Sequence, residues 1–350
     1  MSDDQNGALG TMKSEEDAAR TENAGRGVAW YRSWADWIEF LVRYGRYIGL
    51  PAAVIGLVIV FASTSNVFMS VQNFRNIGLQ AAALAAVSFG QTFVILTAGL
   101  DLSVGSTVAL VSVVSAMVMM PYGVEAGLVM GLLAGLAVGL VNGLVVTRLK
   151  VFPFIATLAM LTIAAGLALN LSGGTPVIGL PVGFSDVAYQ NILGIPVPVV
   201  VSLVLLACTF VMLRYFRLGR NIYAIGGNQE AARLSGIRVD AVKVAAYVYC
   251  GFCAAIGSLI LTARVASGQP TLGTNLPLES IAAVVLGGVS LFGGRGSVIG
   301  VAIGVAFVSI LSNGLNLLNV SSYTQMMVIG AALILAVALD QLLGKRGEGS

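Results

Sequence analysis

Residues 77–120 read IGLQAAALAAVSFGQTFVILTAGLDLSVGSTVALVSVVSAMVMM. One charged side chain, Asp101, separates two apolar runs, 77–98 and 104–120. Each is close to the roughly 20 residues a helix needs to cross the hydrocarbon core of a bilayer. Gly99 and Gly105 flank the acid, so the backbone is free to leave helical geometry there. The pattern is that of two membrane-crossing helices joined by a break that carries a carboxylate.

Outward from this pair, runs of similar length recur at about 47–65, 125–146, 152–171, 196–214, 243–263, 278–293, 297–315 and 322–342. The expected fold is therefore all-α: a polytopic integral membrane protein of about ten transmembrane helices, some of them broken. Composition agrees. Hydrophobic residues make up 57% of the 350 and charged residues only 10%, and mean hydropathy is +0.91. Soluble domains carry about 25% charged residues, so this chain has too few to coat a water-facing surface. The abundance of glycine, 43 residues, suits helices that pack closely in lipid.

The loops give an orientation. With the N-terminus inside, the inner segments after the first span hold Arg148, Lys150, Arg214, Arg217, Arg220, Arg233, Arg238, Lys243, Arg295, Lys345 and Arg346, against Arg75 and Arg264 outside. Eleven against two is a strong positive-inside bias, and it predicts that both termini are cytoplasmic. The 1–46 segment is polar, with eight acids and six bases. It lacks the basic start and short apolar core of a cleavable signal, so it is expected to be a cytoplasmic tail. Within it Trp30, Trp34, Trp37, Ile38 and Leu41 recur at helical spacing, which predicts an amphipathic helix at about 28–43 lying in the membrane interface. The membrane-spanning body is then 47–342.

Three places carry chemistry. At 96–106, Ser103 and Ser106 are candidate caps for the following helix, with Asp101 near its positive end. A carboxylate in lipid is costly, so Asp101 is either a helix cap at the break or part of a translocation path or gate. At 215–241 lies a basic cytoplasmic loop. Asn228 there can cap a short helix, with Glu230 and Ala231 in its first turn and Gly236 as its stop. At 277–297, five glycines within ten residues preclude an ordinary helix. Glu279 and Arg264 both fall near the outer face, where they are able to pair or to meet a docked protein. Cys250 and Cys253 form a C-x-x-C inside an apolar run, with no histidine in the chain, which favours packing over metal or redox chemistry.

Other classes are disfavoured. No G-x-x-x-x-G-K-[ST] phosphate loop is present, so an ATP-driven role needs another subunit to bind ATP and magnesium. No constellation of residues suggests catalysis or a metal site, and no basic, aromatic-laced stretch suggests nucleic acid.

LTAGLDLSVGS (96–106), GRNIYAIGGNQEAARLSGIRV (219–239), ESIAAVVLGGVSLFGGRGSVIG (279–300) and NGLNLLNVSSYTQM (313–326) occur in that order. With these motifs the chain resembles the permease subunit of ribose-type ATP-binding-cassette monosaccharide importers, over about 45–342. The resemblance implies a multi-pass subunit of the bacterial inner (plasma) membrane that is not itself an enzyme. It implies as partners a second copy of the chain, an ATP-binding-cassette ATPase and a periplasmic sugar-binding protein, besides membrane lipid. Glu230, Ala231, Ala232 and Gly236 match the family's Glu-Ala-Ala-x-x-x-Gly loop. That match implies that Asn228, Glu230, Ala231, Ala232, Arg233, Ser235 and Gly236 form the helix that docks on the ATPase. A neutral sugar needs a path of weak hydrogen bonds, for which Gln91, Thr97, Gly99, Asp101, Ser103, Asn142 and Asn313 are the candidates; Arg264 and Glu279 are candidates for contact with the binding protein. The competing reading is an ion-coupled secondary transporter of small polar solutes, for which Asp101 is the titrating candidate.

Overall fold

A computed structural model describes residues 49–332 and residue 334. The polar tail of 1–46, its expected interfacial helix at about 28–43, and the far end of the last expected span lie outside the described residues. In lipid an apolar run folds as helix because only a helix satisfies its backbone N–H and C=O groups within the segment. Accordingly, the apolar runs are helical over most of their described length. The chain opens with α1 (Gly49–Thr64), followed by α2 (Val71–Leu96), α3 (Val104–Tyr122), α4 (Val124–Thr147) and α5 (Pro153–Ser172). A short helix, α6 (Val182–Val187), and a two-residue hairpin, β1 (Asn191–Ile192) with β2 (Ile195–Pro196), lead into α7 (Val197–Tyr215). Then come α8 (Arg217–Gly227), α9 (Gln229–Leu234), α10 (Val239–Val265), α11 (Leu276–Leu286) and α12 (Val298–Leu317). A further helix, α13, runs over 322–332.

Seven of these, α2, α3, α4, α5, α7, α10 and α12, are long and apolar enough to cross a membrane. Three expected spans are shorter among the described residues: α1, α11 and α13. The shortening of α11 has a plain cause. After 11 residues the helix closes in a C-terminal motif: Val289 N–H donates to Val284 O at 3.2 Å and Gly288 N–H to Val285 O at 2.9 Å. This geometry requires Gly288 at φ +81°, a conformation that disfavours other residues. The run expected as helix to 293 is therefore half helix and half loop. At the other extreme, α2 begins six residues before the expected start, because Ser70 caps it by accepting from Asn73 N–H at 3.2 Å.

Packing follows from small residues. Every residue from Ala82 to Thr97 is buried, so the second half of α2 is enclosed on all sides. It lies against α7, α10, α11 and α12. On α4 the glycines 127, 131, 135, 139 and 143 fall four apart and are all buried. A Cβ added at Gly143 would sit 2.9 Å from Val244 Cα, and one at Gly139 would lie 3.0 Å from Val248 Cα while overlapping Tyr247 O. Helices α4 and α10 thus touch backbone to backbone, the close approach that small residues permit in membranes. The opposite side of α10 meets α2 equally closely: a Cβ on Gly90 would stand 2.7 Å from Cys253 Cβ and 2.9 Å from Cys250 Cα. Both cysteines are buried and free, and they act as small packing residues there.

Two ends of the bundle differ in character. One carries the 173–196 segment, held by the Val177–Gly268 bridge, by Arg75 Nη2 donating to Tyr189 O at 2.6 Å and by Tyr189 Oη donating to Arg264 O at 3.1 Å. The other carries the α2–α3 break, α8, α9 and the loop after α11. The α4 seam sets an expectation. Gly139→Leu drives a side chain into the α10 backbone and destabilises by about 1–3 kcal/mol or more, read as a lower melting temperature in detergent. Gly166→Ala on α5, where a Cβ meets nothing within 4 Å, holds or raises that temperature through better helix propensity.

Candidate functional site

The break between α2 and α3 is a buried polar knot. Asp101, 2% exposed, folds back on its own chain: its Oδ1 accepts Ser103 N–H at 2.9 Å and Ser103 Oγ at 2.6 Å. An aspartate bonding the backbone two residues on is the turn this side chain favours. The acid, not the serine, therefore caps α3. Ser103 stands at the N-cap without accepting a backbone N–H, and Ser106 turns back to donate to Ser103 O at 2.9 Å. The carboxylate also sits at the positive end of α3.

Four other helices supply partners. Asn142 Nδ2 on α4 donates to Ser103 Oγ at 2.8 Å and lies 3.4 Å from both Asp101 carboxylate oxygens. Gln91 Nε2 on α2 donates to Asp101 O at 3.0 Å, and Cys250 Sγ on α10 lies 3.5 Å from Gln91 Oε1. Leu100 O accepts from Tyr247 Oη on α10 and from Thr157 Oγ1 on α5, each at 3.3 Å. Gly99 is tucked beneath that tyrosine, where a Cβ would lie 2.9 Å from Tyr247 Oη. Of the candidate path residues, the fold brings Gln91, Gly99, Asp101, Ser103 and Asn142 together. Thr97 only closes its own helix, donating to Val94 O at 2.8 Å. Asn313 is elsewhere: its Nδ2 donates to Asn73 Oδ1 at 3.0 Å, joining α12 to the start of α2.

The second assembly is the α8–α9 segment. Gly219, Ile222 and Ile225 bury one face of α8. Tyr223 Oη donates to Gly296 O at 3.0 Å; burial pushes its phenol above the usual range, so it remains a donor. Asn228 caps α9 by accepting Ala231 N–H at 2.9 Å. The helix ends when Gly236 N–H donates to Arg233 O at 3.0 Å and Ile237 N–H to Ala232 O at 3.1 Å, with Gly236 at φ +82°. Ala232 is the one buried residue of α9. Glu230, Ala231, Arg233, Leu234 and Ser235 face outward, Leu234 at 88% exposure. Sequence reasoning did not single out Leu234; an exposed leucine beside Glu230 and Ala231 on a six-residue helix is visible only once burial is known. Glu230 and Arg233 lie 3.9 Å apart on that surface, a pairing of small energetic weight.

The two assemblies touch through glycine. Gly294 N–H donates to Leu96 O at 3.0 Å. A Cβ on Gly293 would stand 2.8 Å from Ala98 N and 3.0 Å from Gly226 Cα, and one on Gly294 would stand 2.6 Å from Gly227 N. The end of α8, the end of α2 and the loop after α11 thus meet as bare backbone. At the opposite end of the bundle, Arg264 and Glu279 line one cavity between α2, α10, α11 and α12.

The sequence over residues 73–337 matches a family described as branched-chain amino acid transport system / permease component. It is similar to the ribose import permease protein of Bacillus subtilis (strain 168), 44% identical over 302 residues, which span 85% of this chain and 92% of that one. It is 41% identical over 299 residues to the ribose import permease protein of Escherichia coli (strain K12), spanning 82% and 91% of the two chains. To the D-allose transport system permease protein of that strain it is 37% identical over 310 residues, spanning 87% and 94%. No solved structure matches significantly.

The knot yields a test of its own. Asp101→Asn places an amide nitrogen opposite the Asn142 amide and costs about 1–3 kcal/mol of stability; Asp101→Ala removes the cap of α3 as well and costs more. Melting of the purified variants in detergent reads both. An unchanged melting temperature for Asp101→Ala would mean that the carboxylate holds nothing in place.

Proposed function

The chain belongs to the branched-chain amino acid transport system / permease component family, and on that premise we propose which of its surfaces carry out transport. It is the membrane-spanning permease of an ATP-driven sugar importer, a multi-pass protein of the bacterial inner membrane that leaves ATP hydrolysis to a separate subunit. The relatives are permeases for ribose and allose, and we take a monosaccharide of that size as its substrate. Family membership implies an ATPase subunit and a periplasmic sugar-binding protein as partners. We further infer a homodimer, a count of ten spans with α1, α11 and α13 completing the seven long ones, and cytoplasmic N- and C-termini; the one-sided loop charge supports that orientation.

The observation that carries the mechanism is the glycine junction. Helix α9, bounded by Asn228 and Gly236, is the surface offered to the ATPase, with Glu230, Ala231, Arg233, Leu234 and Ser235 outward. Its neighbour α8 rests on Gly293, Gly294 and the carbonyl of Leu96 with no side chain between. A displacement imposed on α9 therefore reaches both interrupted elements, the α2–α3 break and the loop after α11. Rigid-body shifts of packed helices are the usual route between two transporter states. The Asp101–Ser103–Asn142 knot is the frame that keeps the break intact as it moves. Asp101, Ser103 and Asn142 are all buried and bonded to one another, which supports a place beside the path rather than in its lining. That enclosure also argues against an ion-coupled carrier, which needs its titrating acid within reach of water. Arg264, exposed at the end of α10, suits contact with the binding protein; Glu279 is half-buried and turns into the cavity.

The test uses proteoliposomes holding the permease, its ATPase and its binding protein. D-ribose or D-allose with the binding protein stimulates ATP hydrolysis and is taken up. Gly236→Glu places a charged side chain at a left-handed position on the docking face and lowers uptake at least tenfold, with loss of ATPase from the purified complex. Gly236→Asn, which tolerates that conformation, keeps most of the uptake. Leu234→Asp weakens ATPase retention while leaving the permease's melting temperature unchanged. Full uptake in Gly236→Glu and Leu234→Asp would remove α9 from the coupling role.

A further inference from the structure

The cavity that Arg264 and Glu279 share has a volume of about 110 Å³ and lies at the end of the bundle opposite α9. Four helices build it. Gln80 comes from the first half of α2, Arg264 from the end of α10, Glu279 from the first turn of α11, and Ser309 with Ser312 from the second half of α12. Beyond Ala83 and Leu84 at its floor, α2 is closed on every side. The space is therefore a cup at the mouth of the bundle, with room for several waters. Ser309 is 1% exposed, and its Oγ has no hydrogen-bond partner among the described residues. A buried hydroxyl without a partner is uncommon and calls for one.

The polar groups have a particular chemistry. The Glu279 carboxylate only accepts when ionised, the Arg264 guanidinium only donates, and the Gln80 amide and the two serine hydroxyls do both. Arg264 and Glu279 carry opposite formal charges, so the pair favours a ligand without net charge. Neighbouring hydroxyls of a sugar donate and accept at once, which matches this set group for group. Leu84, Leu261 and Leu276 supply the apolar walls against which the C–H face of a sugar ring packs.

We propose that this cup is a sugar-hydroxyl subsite at the outer mouth of the path, which receives the monosaccharide released by the binding protein and in which Ser309 is a ligand. The proposal rests on the sugar-import reading above. The cup is shut down to a few waters in this conformation and opens to admit the ring as the helices around it separate. A zwitterionic amino acid is the other neutral ligand that an arginine and a glutamate could bracket. The two serines, Gln80 and the ribose and allose permeases among the relatives favour the sugar.

The test is uptake of labelled D-ribose and D-allose, and of L-leucine in parallel, into proteoliposomes of the complete importer. The variants are Ser309→Ala, Glu279→Gln and the cavity-filling Ser309→Met. Assembly with the ATPase and the melting temperature serve as controls for folding. Loss of one hydrogen bond to a bound hydroxyl corresponds to about a fivefold to tenfold effect. Ser309→Ala and Glu279→Gln are expected to lower sugar uptake by that factor and Ser309→Met to abolish it, each assembling and melting as the parent does. Sugar uptake at the parental rate in all three, or a loss that tracks failed assembly or a lowered melting temperature, overturns the subsite. L-leucine uptake that the variants reduce while sugar uptake persists assigns the cup to an amino acid and also overturns it. If the parent importer, assembled with its ATPase, takes up neither sugar, the sugar-import reading itself falls, an outcome separate from failure of the subsite alone.

Discussion

A polypeptide that interrupts a helix inside a bilayer must find a partner for every backbone group it frees, because lipid offers none. The segment from Thr97 to Ser103 is organised by that requirement. Leu100 O is taken by Tyr247 and Thr157, Asp101 O by Gln91, Ser103 N–H by the Asp101 carboxylate, and Leu96 O by Gly294 N–H. Those partners come from α2, α5, α10, the break itself and the loop after α11, and Asn142 on α4 bonds the side chains of Asp101 and Ser103, so one short break fixes the relative placement of most of the bundle. The carboxylate is affordable there because two hydrogen bonds from Ser103, the amide of Asn142 and the end of α3 stand in for water.

Close helix contact is the complement of that constraint. Two sides of α10 are pressed against neighbours through glycine, toward α4 at Gly139 and Gly143 and toward α2 at Gly90. With lipid outside and helix inside, there is little hydrophobic gain in bringing helices together, and dispersion contact between backbones supplies the cohesion. The same device serves two purposes in this protein. Along α4 it locks helices side by side. Among Gly226, Gly227, Gly293 and Gly294 it joins three chain segments end to end and makes a surface helix continuous with the interior.

Much of this was readable from residues. Apolar runs near twenty residues located the long helices, because a helix is the structure that satisfies its backbone in lipid. Asn228 and Gly236 bracketed α9 because their side chain and lack of one suit a start and a stop. The glycines after Leu286 announced a break, although not that α11 ends after three turns, since a Schellman-type closure depends on where the loop must go next. Ser103 and Asp101 were both candidate caps, since both residue types cap helices, and only the fold shows which oxygen faces the free N–H. The spacing of Gly127, Gly131, Gly135, Gly139 and Gly143 was present in the sequence, but its partner helix lies about a hundred residues further on. The cup of Gln80, Arg264, Glu279, Ser309 and Ser312 draws on four distant helices, and no local pattern links them. Asn313 looked like a path residue by polarity, and its amide instead ties two helices together.

Helix α9 is bounded by an asparagine on one side and a left-handed glycine on the other, and Ala232 is the one side chain it buries. It is a modular plug: Glu230, Ala231, Arg233 and Leu234 face outward and can be rewritten, while Ala232 is buried and Gln229 accepts from Lys243 Nζ on α10 at 2.7 Å. On the docking role proposed for α9, a permease built this way can change its motor. Exchanging Glu230, Ala231, Arg233 and Leu234 for those of another importer, while keeping Asn228, Ala232 and Gly236, separates the question of which ATPase drives the protein from the question of what it carries.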